Sequence, residues 1–208
     1  MRVLYITFFV VFVDHLTKLL VKGFNLPFLG LSHQGMELNS TIEVIDDFIR
    51  FTFVENPGMA FGIDFGGKLF FSIFSVVAGI GILYYLYKVK RESLILRIPL
   101  ALILGGAIGN LIDRIFYGVF YGEAPLFYGK VVDFIDLKFF RMEIFGLQLT
   151  RWPVFNIADI AVTVGVLILI IFHKKISDLS ELQGEPILLV PAPVLYESNP
   201  PVLESDRD

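Results

Sequence analysis

The chain has 208 residues, 55% of them hydrophobic, with a mean hydropathy of +0.72 and a formal net charge of -4. That composition excludes an ordinary soluble domain and fits a polytopic membrane protein of one domain, while the acidic excess, gathered near the C-terminal end, gives no reason to invoke nucleic acid. The absence of cysteine excludes a disulfide, a thiolate metal site and a thiol nucleophile.

In chain order, the first apolar run, Val3 to Val21, has about the twenty residues that a bilayer crossing needs. Asp14 and Lys18 interrupt it and no small-x-small cleavage site follows, so a retained span is expected rather than a cleaved signal peptide. Residues 22–68 are mixed. Within them Thr41 to Val54 carries β-branched and aromatic residues around Asp46-Asp47, which predicts a small hairpin outside the lipid. The Pro-Gly of Asn56-Pro-Gly-Met-Ala-Phe-Gly62 marks the turn after it. A second span is expected from Leu69 to Tyr87 and a third from Leu94 to Tyr117, with Lys88, Lys90, Arg91 and Arg97 around the short link between them. A fourth runs from Pro153 to Phe172, before His173-Lys174-Lys175. With Arg2, these cations put both termini and the short link in the cytoplasm, so loops 23–67 and 118–152 face out. Past Ser177 the chain is acidic and Pro-rich and reads as a disordered cytoplasmic tail. The expected division is a four-span domain over 1–176 and the tail over 177–208. No internal repeat suggests a transporter built from duplicated halves.

The costly polar residues share one depth. At about 1.5 Å per residue, Asp159 lies roughly 9 Å below the outer end of the fourth span. Asn110, Asp113 and Arg114 lie near the outer end of the third, Lys18 in the outer part of the first, and Asn56 shortly before the second. An ionisable group in lipid costs about 2.5–3.5 kcal/mol or more and needs a partner, a wet cavity or a function. Asn156, Asp159 and Thr163, at i, i+3 and i+7, fall on one helical face, which cannot point at lipid. In Gly105-Gly-Ala-Ile-Gly-Asn-Leu-Ile-Asp-Arg114, Gly105 and Gly109 admit a neighbouring helix, and Gly106, Asn110, Asp113 and Tyr117 form a polar stripe. The stripe is either helix packing, with Asp113 and Arg114 compensating each other, or a site wall in which Arg114 holds a carbonyl or phosphate oxygen. Asp14 and Lys18, acid first at i, i+4, are expected to pair.

Asp133, in Gly129-Lys-Val-Val-Asp-Phe-Ile-Asp136, leaves two readings open. It is a surface aspartate in a strand, or the loop returning to the membrane at Trp152 presses it onto the layer of Asp159. In the second case the two carboxylates cannot both ionise cheaply, so one pKa rises and the pair shares a proton, giving a base and an acid in one place.

Five ordered blocks carry a resemblance over residues 3–172: Asp14-His-Leu-Thr-Lys18, Asn56-Pro-Gly-Met-Ala-Phe61, Gly106-Ala-Ile-Gly-Asn-Leu-Ile-Asp-Arg114, Val131-Val-Asp-Phe134 and Phe155-Asn-Ile-Ala-Asp159. The chain resembles the lipoprotein signal peptidases (signal peptidase II), intramembrane aspartic peptidases of bacteria with four spans. The resemblance implies an all-α membrane protein, N-in and C-in, with a small extracytoplasmic β element, in the cytoplasmic (inner) membrane with its site on the outer side. It implies Asp133 and Asp159 as the catalytic pair and Asn56, Gly58, Asn110, Arg114 and Asn156 as substrate-binding positions. Asp14, Lys18 and Asp113 match polar motif positions of structural character. The implied reaction removes the signal peptide of a diacylglyceryl-modified prolipoprotein on the amino side of the lipidated cysteine. No metal or organic cofactor is implied, and the expected partners are that substrate and membrane lipid, with a monomeric enzyme and no nucleic acid. The long aromatic loop from Phe116 to Tyr128 and the acidic tail depart from the family pattern. Two competing readings remain: a proton-coupled transporter or channel with Asp14, Asp159 and Arg114 as a relay, and an assembly subunit whose polar stripes only join helices.

Overall fold

The computed structural model of the chain describes residues 2–60, 63–64, 67–144 and 147–176. Phe61 of the second block and the tail expected over 177–208 lie outside the described residues.

The first apolar run forms helix α1 (Leu4–Lys22), ended by Gly23 at φ 82°, a conformation that glycine adopts without strain. Strands β1 (Phe24–Leu26) and β2 (Leu31–His33) follow as a small antiparallel pair around a 3-10 turn. The predicted hairpin is present as β3 (Thr41–Ile45) and β4 (Ile49–Asn56), and the short pair β5 (Met59–Ala60) and β6 (Ile63–Asp64) leads into α2 (Gly67–Lys88). Helix α3 (Leu94–Ile112) continues through a π-helical turn over Asp113–Tyr117 into α4 (Gly118–Phe120). Two long strands, β7 (Val131–Ile144) and β8 (Leu147–Arg151), precede α5 (Ile157–Ile171).

The β component is larger than a hairpin. An antiparallel sheet of four strands, ordered β3-β4-β7-β8, joins the two loops. The architecture is mixed helix and sheet, where the sequence reading expected an all-α chain with a small β element. The partners lie some eighty residues apart, so no local pattern announces the pairing. Val131 to Phe134 of β7 are buried throughout, and Val132 and Phe134 pack with Phe53, Val21 and Tyr117. This cluster seats the sheet on the end of α1 and on the π turn. A second cluster, with Val3, Leu86, Leu96, Leu100 and Leu104, closes the opposite end of the helices.

Helix α3 is central and packs against α1, α2 and α5. A Cβ on Gly106 would lie 2.2 Å from the carbonyl oxygen of Ala158, and one on Gly109 would lie 2.6 Å from Asp14 Oδ2, so both seams depend on missing side chains. The helices at 4–22 and 94–120 are long and apolar enough to cross a membrane, whereas Ser72–Lys88 and Ile157–Ile171 are shorter apolar helices. Beside the two apolar clusters, the helices show large exposed apolar side chains and enclosed charged ones. Phe8, Phe12, Phe74, Val77, Leu167 and Ile170 face outward, while Asp14, Lys18, Asp113 and Asn156 are fully enclosed.

Helix α5 starts later than its apolar run. Residues 153–156 are not helical, because Phe155 forms an antiparallel bridge to Ile135 of β7, with N–H to O distances of 2.7 and 3.1 Å. Asn156 then acts as the N-cap. The bridge stands two residues after Asp133 and four before Asp159, which is how a strand and a helix bring these carboxylates to one place.

Candidate active site

Asn156 joins the two aspartates. Its side-chain oxygen accepts from the Asp159 N–H at 3.0 Å, and its own backbone N–H donates to Asp159 Oδ2 at 3.1 Å, a capping box with the acid at the third helical position. Its Nδ2 donates to Asp133 Oδ1 at 2.6 Å and to Asn110 Oδ1 at 3.0 Å, with the Val132 carbonyl at 3.3 Å. Asn110 Nδ2 in turn donates to Asp159 Oδ1 at 2.8 Å. Asn56 Nδ2 donates to Asp133 Oδ2 at 3.1 Å, and the Gly58 N–H fixes the Asn56 side chain by donating to its Oδ1 at 2.9 Å. Each carboxylate is thus held at both oxygens by amide donors.

Beneath this layer Lys18 is a hub. Its ammonium sits 2.7 Å from Asp14 Oδ2 and 2.7 Å from Asp113 Oδ2, and donates to Asn110 Oδ1 at 3.0 Å. All three charged side chains are 0% exposed, and breaking such a buried set leaves charge without compensation. The i, i+4 pairing expected for Asp14 and Lys18 is present, and both groups reach further. Asp14 Oδ1 accepts from the Ala158 N–H at 2.9 Å, placing a carboxylate on the free donors at the N-terminus of α5. Asp113 Oδ2 accepts from the Val132 N–H at 3.3 Å, next to Asp133. Asp113 therefore pairs with Lys18 rather than with the adjacent Arg114, so the local compensation considered for that dipeptide is not how Asp113 is satisfied. Arg114 is half-buried within the field of Asp113, Asp159 and Asp133, and its Nη1 lies 3.5 Å from the Asn110 carbonyl oxygen.

Asp133, outside the helices, is 3% exposed. Burial, and after it the negative charge of Asp159, pushes its carboxyl up to about 7, against the bonds from Asn56 and Asn156 and the charge of Lys18, which favour the ionised form. Asp159 is less enclosed and forms part of the wall of a groove of about 400 Å³ lined mainly by Leu137, Trp152, Phe155, Ile160, Thr163 and Val164. Thr163, expected on the face of Asn156 and Asp159, stands in this wall. Among the described residues no group of three or more His, Asp or Glu side chains is arranged to hold a metal ion.

Some participants carry no local signal. His15 Nδ1 lies 3.1 Å from the Tyr117 hydroxyl and 3.6 Å from Asp113 Oδ1. Lys22, Glu55, Glu123 and Lys130 form a further charge cluster. These contacts span up to about a hundred residues, so spacing within one helix or strand does not reveal them.

Comparison with known proteins shows the family. A family model described as Signal peptidase (SPase) II matches residues 6–174. The chain is 40% identical over 136 residues to a lipoprotein signal peptidase of Pelodictyon phaeoclathratiforme, covering 65% of this chain and 74% of that one. It is also 40% identical over 161 residues to one of Caldanaerobacter subterraneus subsp. tengcongensis, covering 77% of this chain and 88% of the other. A solved structure described as a bacterial membrane enzyme superposes with a TM-score of 0.60 at 30% identity, covering 89% of this chain and 94% of its own.

Proposed function

The chain belongs to the signal peptidase II family, and from that premise we propose that it cleaves prolipoproteins as an aspartic endopeptidase whose catalytic pair is Asp133 and Asp159. The observation that carries this reading is the double hold of Asn156 on both carboxylates, with Asp159 in the wall of an open groove.

The chemistry follows from the unequal surroundings of the pair. Asp133, pushed up to about 7 by burial and by Asp159, keeps the shared proton, and Asp159 takes the role of base. A water between them gives a proton to Asp159 while its oxygen bonds to the scissile carbonyl carbon, and Asp133 protonates the carbonyl oxygen. When the tetrahedral intermediate collapses, the C–N bond breaks, the leaving nitrogen takes the proton from Asp159, and the hydroxyl proton returns to Asp133. No metal or organic cofactor enters these steps. Arg114, held weakly by its own chain, is suited to hold a carbonyl of the substrate extended, since a helical amide is already bonded internally. Asn56, Gly58, Asn110 and Asn156 act by orienting the carboxylates that face the substrate.

The groove suits a lipidated peptide. Its walls are almost wholly apolar beside one carboxylate, and each buried CH₂ of an acyl chain contributes about 0.8 kcal/mol toward holding the modified cysteine at membrane depth. Helices α1, α2, α3 and α5 serve as four spans, with the sheet and the site on the outer side of the inner membrane and the cationic link at 88–97 in the cytoplasm. One chain suffices for the reaction. Family membership disfavours the transporter reading. The test compares kcat/KM for diacylglyceryl-modified and unmodified forms of one precursor in the same micelles, with and without a chelator. Selective cleavage of the modified form that survives chelation is expected; equal values for both forms, or loss of activity on chelation, would overturn the reading.

A further inference from the structure

Outside the amide layer a second charge cluster, enclosed at Lys22 and Glu55 and open at Glu123 and Lys130, ties four segments together. Lys22, the last residue of α1, and Glu55, next to Asn56 in β4, have side chains only 8% and 9% exposed. Lys22 Nζ donates to Glu55 Oε1 and to both oxygens of Glu123, at 2.8 and 2.9 Å for the latter, and lies 4.2 Å from the centre of the Tyr121 ring. Lys130, the residue before β7, donates to the other oxygen, Glu55 Oε2, at 2.6 Å. Tyr121 closes the arrangement by donating its hydroxyl to the Gly23 carbonyl at 2.8 Å. Burial works against the charge of Glu55, yet the bonds from Lys130 and Lys22 outweigh it and hold this carboxyl below its ordinary value. The pair of Lys22 and Glu55 differs from an exposed one, in which screening and side-chain freedom leave little net effect, whereas the Glu123 and Lys130 arms reach solvent.

The place of the clasp gives it a consequence for chemistry. Successive residues of a strand point to opposite faces, so a carboxylate fixed at both oxygens sets the rotation of the strand end and with it the direction of the next side chain. The next side chain is Asn56, whose oxygen is occupied by the Gly58 N–H and whose Nδ2 points at Asp133. The register places Glu55 opposite Val132 and Asn56 opposite Val131, so β4 meets β7 at the catalytic segment itself. We propose that Glu55, clasped between Lys22 and Lys130, is a positioning residue that aims the Asn56 amide at Asp133 and thereby tunes that carboxyl group for its part in cleavage. This deepens the proposed function and rests on Asp133 belonging to the catalytic pair. The charged groups facing Asp133 are Asp159 from α5, Lys18 from α1 and Arg114 from the π turn. Those facing Glu55 are Lys22 and Lys130, with Glu123 across Lys22.

The test uses the full-length protein in micelles, with aspartate side chains carrying a ¹³C label and the Asp133 signal assigned by its loss in Asp133→Asn. An N–H from Asn56 favours the ionised form of Asp133, so misdirecting it raises the titration midpoint. In Glu55→Gln the midpoint should move up by about half to one pH unit, and kcat should fall about tenfold with KM within about twofold, in line with the cost of sub-ångström misplacement. Lys22→Met should shift the midpoint the same way by less, and Lys22→Arg should match the parent. An unchanged midpoint in both Glu55→Gln and Lys22→Met would overturn the positioning role, even if both variants melt at lower temperature. If Glu55→Gln does not fold, Lys22→Met decides. A shifted midpoint together with persistent cleavage by Asp133→Asn would support the clasp and remove Asp133 from the catalytic pair, which separates the two claims.

Discussion

Lys18 supports the proposed catalytic pair without a hydrogen bond to either aspartate. Its ammonium compensates Asp14 and Asp113 and orients Asn110, whose amide holds Asp159. Lys18→Met should therefore destabilise the protein by about 3–5 kcal/mol, because it strands two buried carboxylates, and should lower turnover at least about tenfold; thermal unfolding in detergent, followed with cleavage, checks both. An unfolding midpoint within a degree of the parent would show that the carboxylates find another partner. Asp133 gives a pH-dependent counterpart. Its folded value of about 7 lies above the ordinary aspartate range, so the folded state binds the extra proton, and stability falls as pH rises from about 4 to about 7. Asp133→Asn cannot titrate, so the difference in unfolding temperature between variant and parent should be more positive at pH 8 than at pH 4; a difference independent of pH would contradict the buried charge. At this scale the sequence was informative about which residues matter and less so about what they hold. The spacing of Asp14 and Lys18 foretells their pair, but not the bond from Ala158 to Asp14, which crosses 144 positions.

Among the elements, α5 shows where periodicity misleads. The apolar run from Pro153 reads as helix, and Asn156 and Asp159 read as neighbours on one helical face. An amide followed three residues later by an acid is also a capping signature, and the strand bridge at Phe155 decides in its favour. The sheet was legible only as its local hairpin, since β4 finds β7 across the whole of α2 and α3. The seam between α3 and α5 makes a direct prediction. A methyl group on Gly106 would have to push the Ala158 backbone away and carry Asp159 with it. Gly106→Ala should cost about tenfold or more in kcat/KM, while Gly79→Ala, which meets nothing within 4 Å, should behave as the parent. Parity of the two variants in a cleavage assay would show that the seam opens without moving the site.

Among the described residues the helices turn large apolar side chains such as Phe8, Phe74 and Leu167 outward and enclose Asp14, Lys18 and Asp113, the pattern of helices whose solvent is a bilayer, so the proposed site supplies its own polar surroundings. The family match ends at residue 174, and in the topology proposed above the chain leaves α5 on the side of the membrane opposite the carboxylates. A chain ending at Ser177 should retain cleavage within about twofold of the parent, and a large loss of turnover would mean that the tail acts on the spans. The central claim is that two carboxylates, from β7 and α5, carry the reaction together. Cleavage of a diacylglyceryl-modified prolipoprotein by purified Asp133→Asn and Asp159→Asn tests it most directly, because an amide fills the same space and keeps hydrogen bonds but cannot take a proton from water. Both variants should remain folded in the membrane and lose cleavage entirely; near-parental turnover by either one would contradict the account.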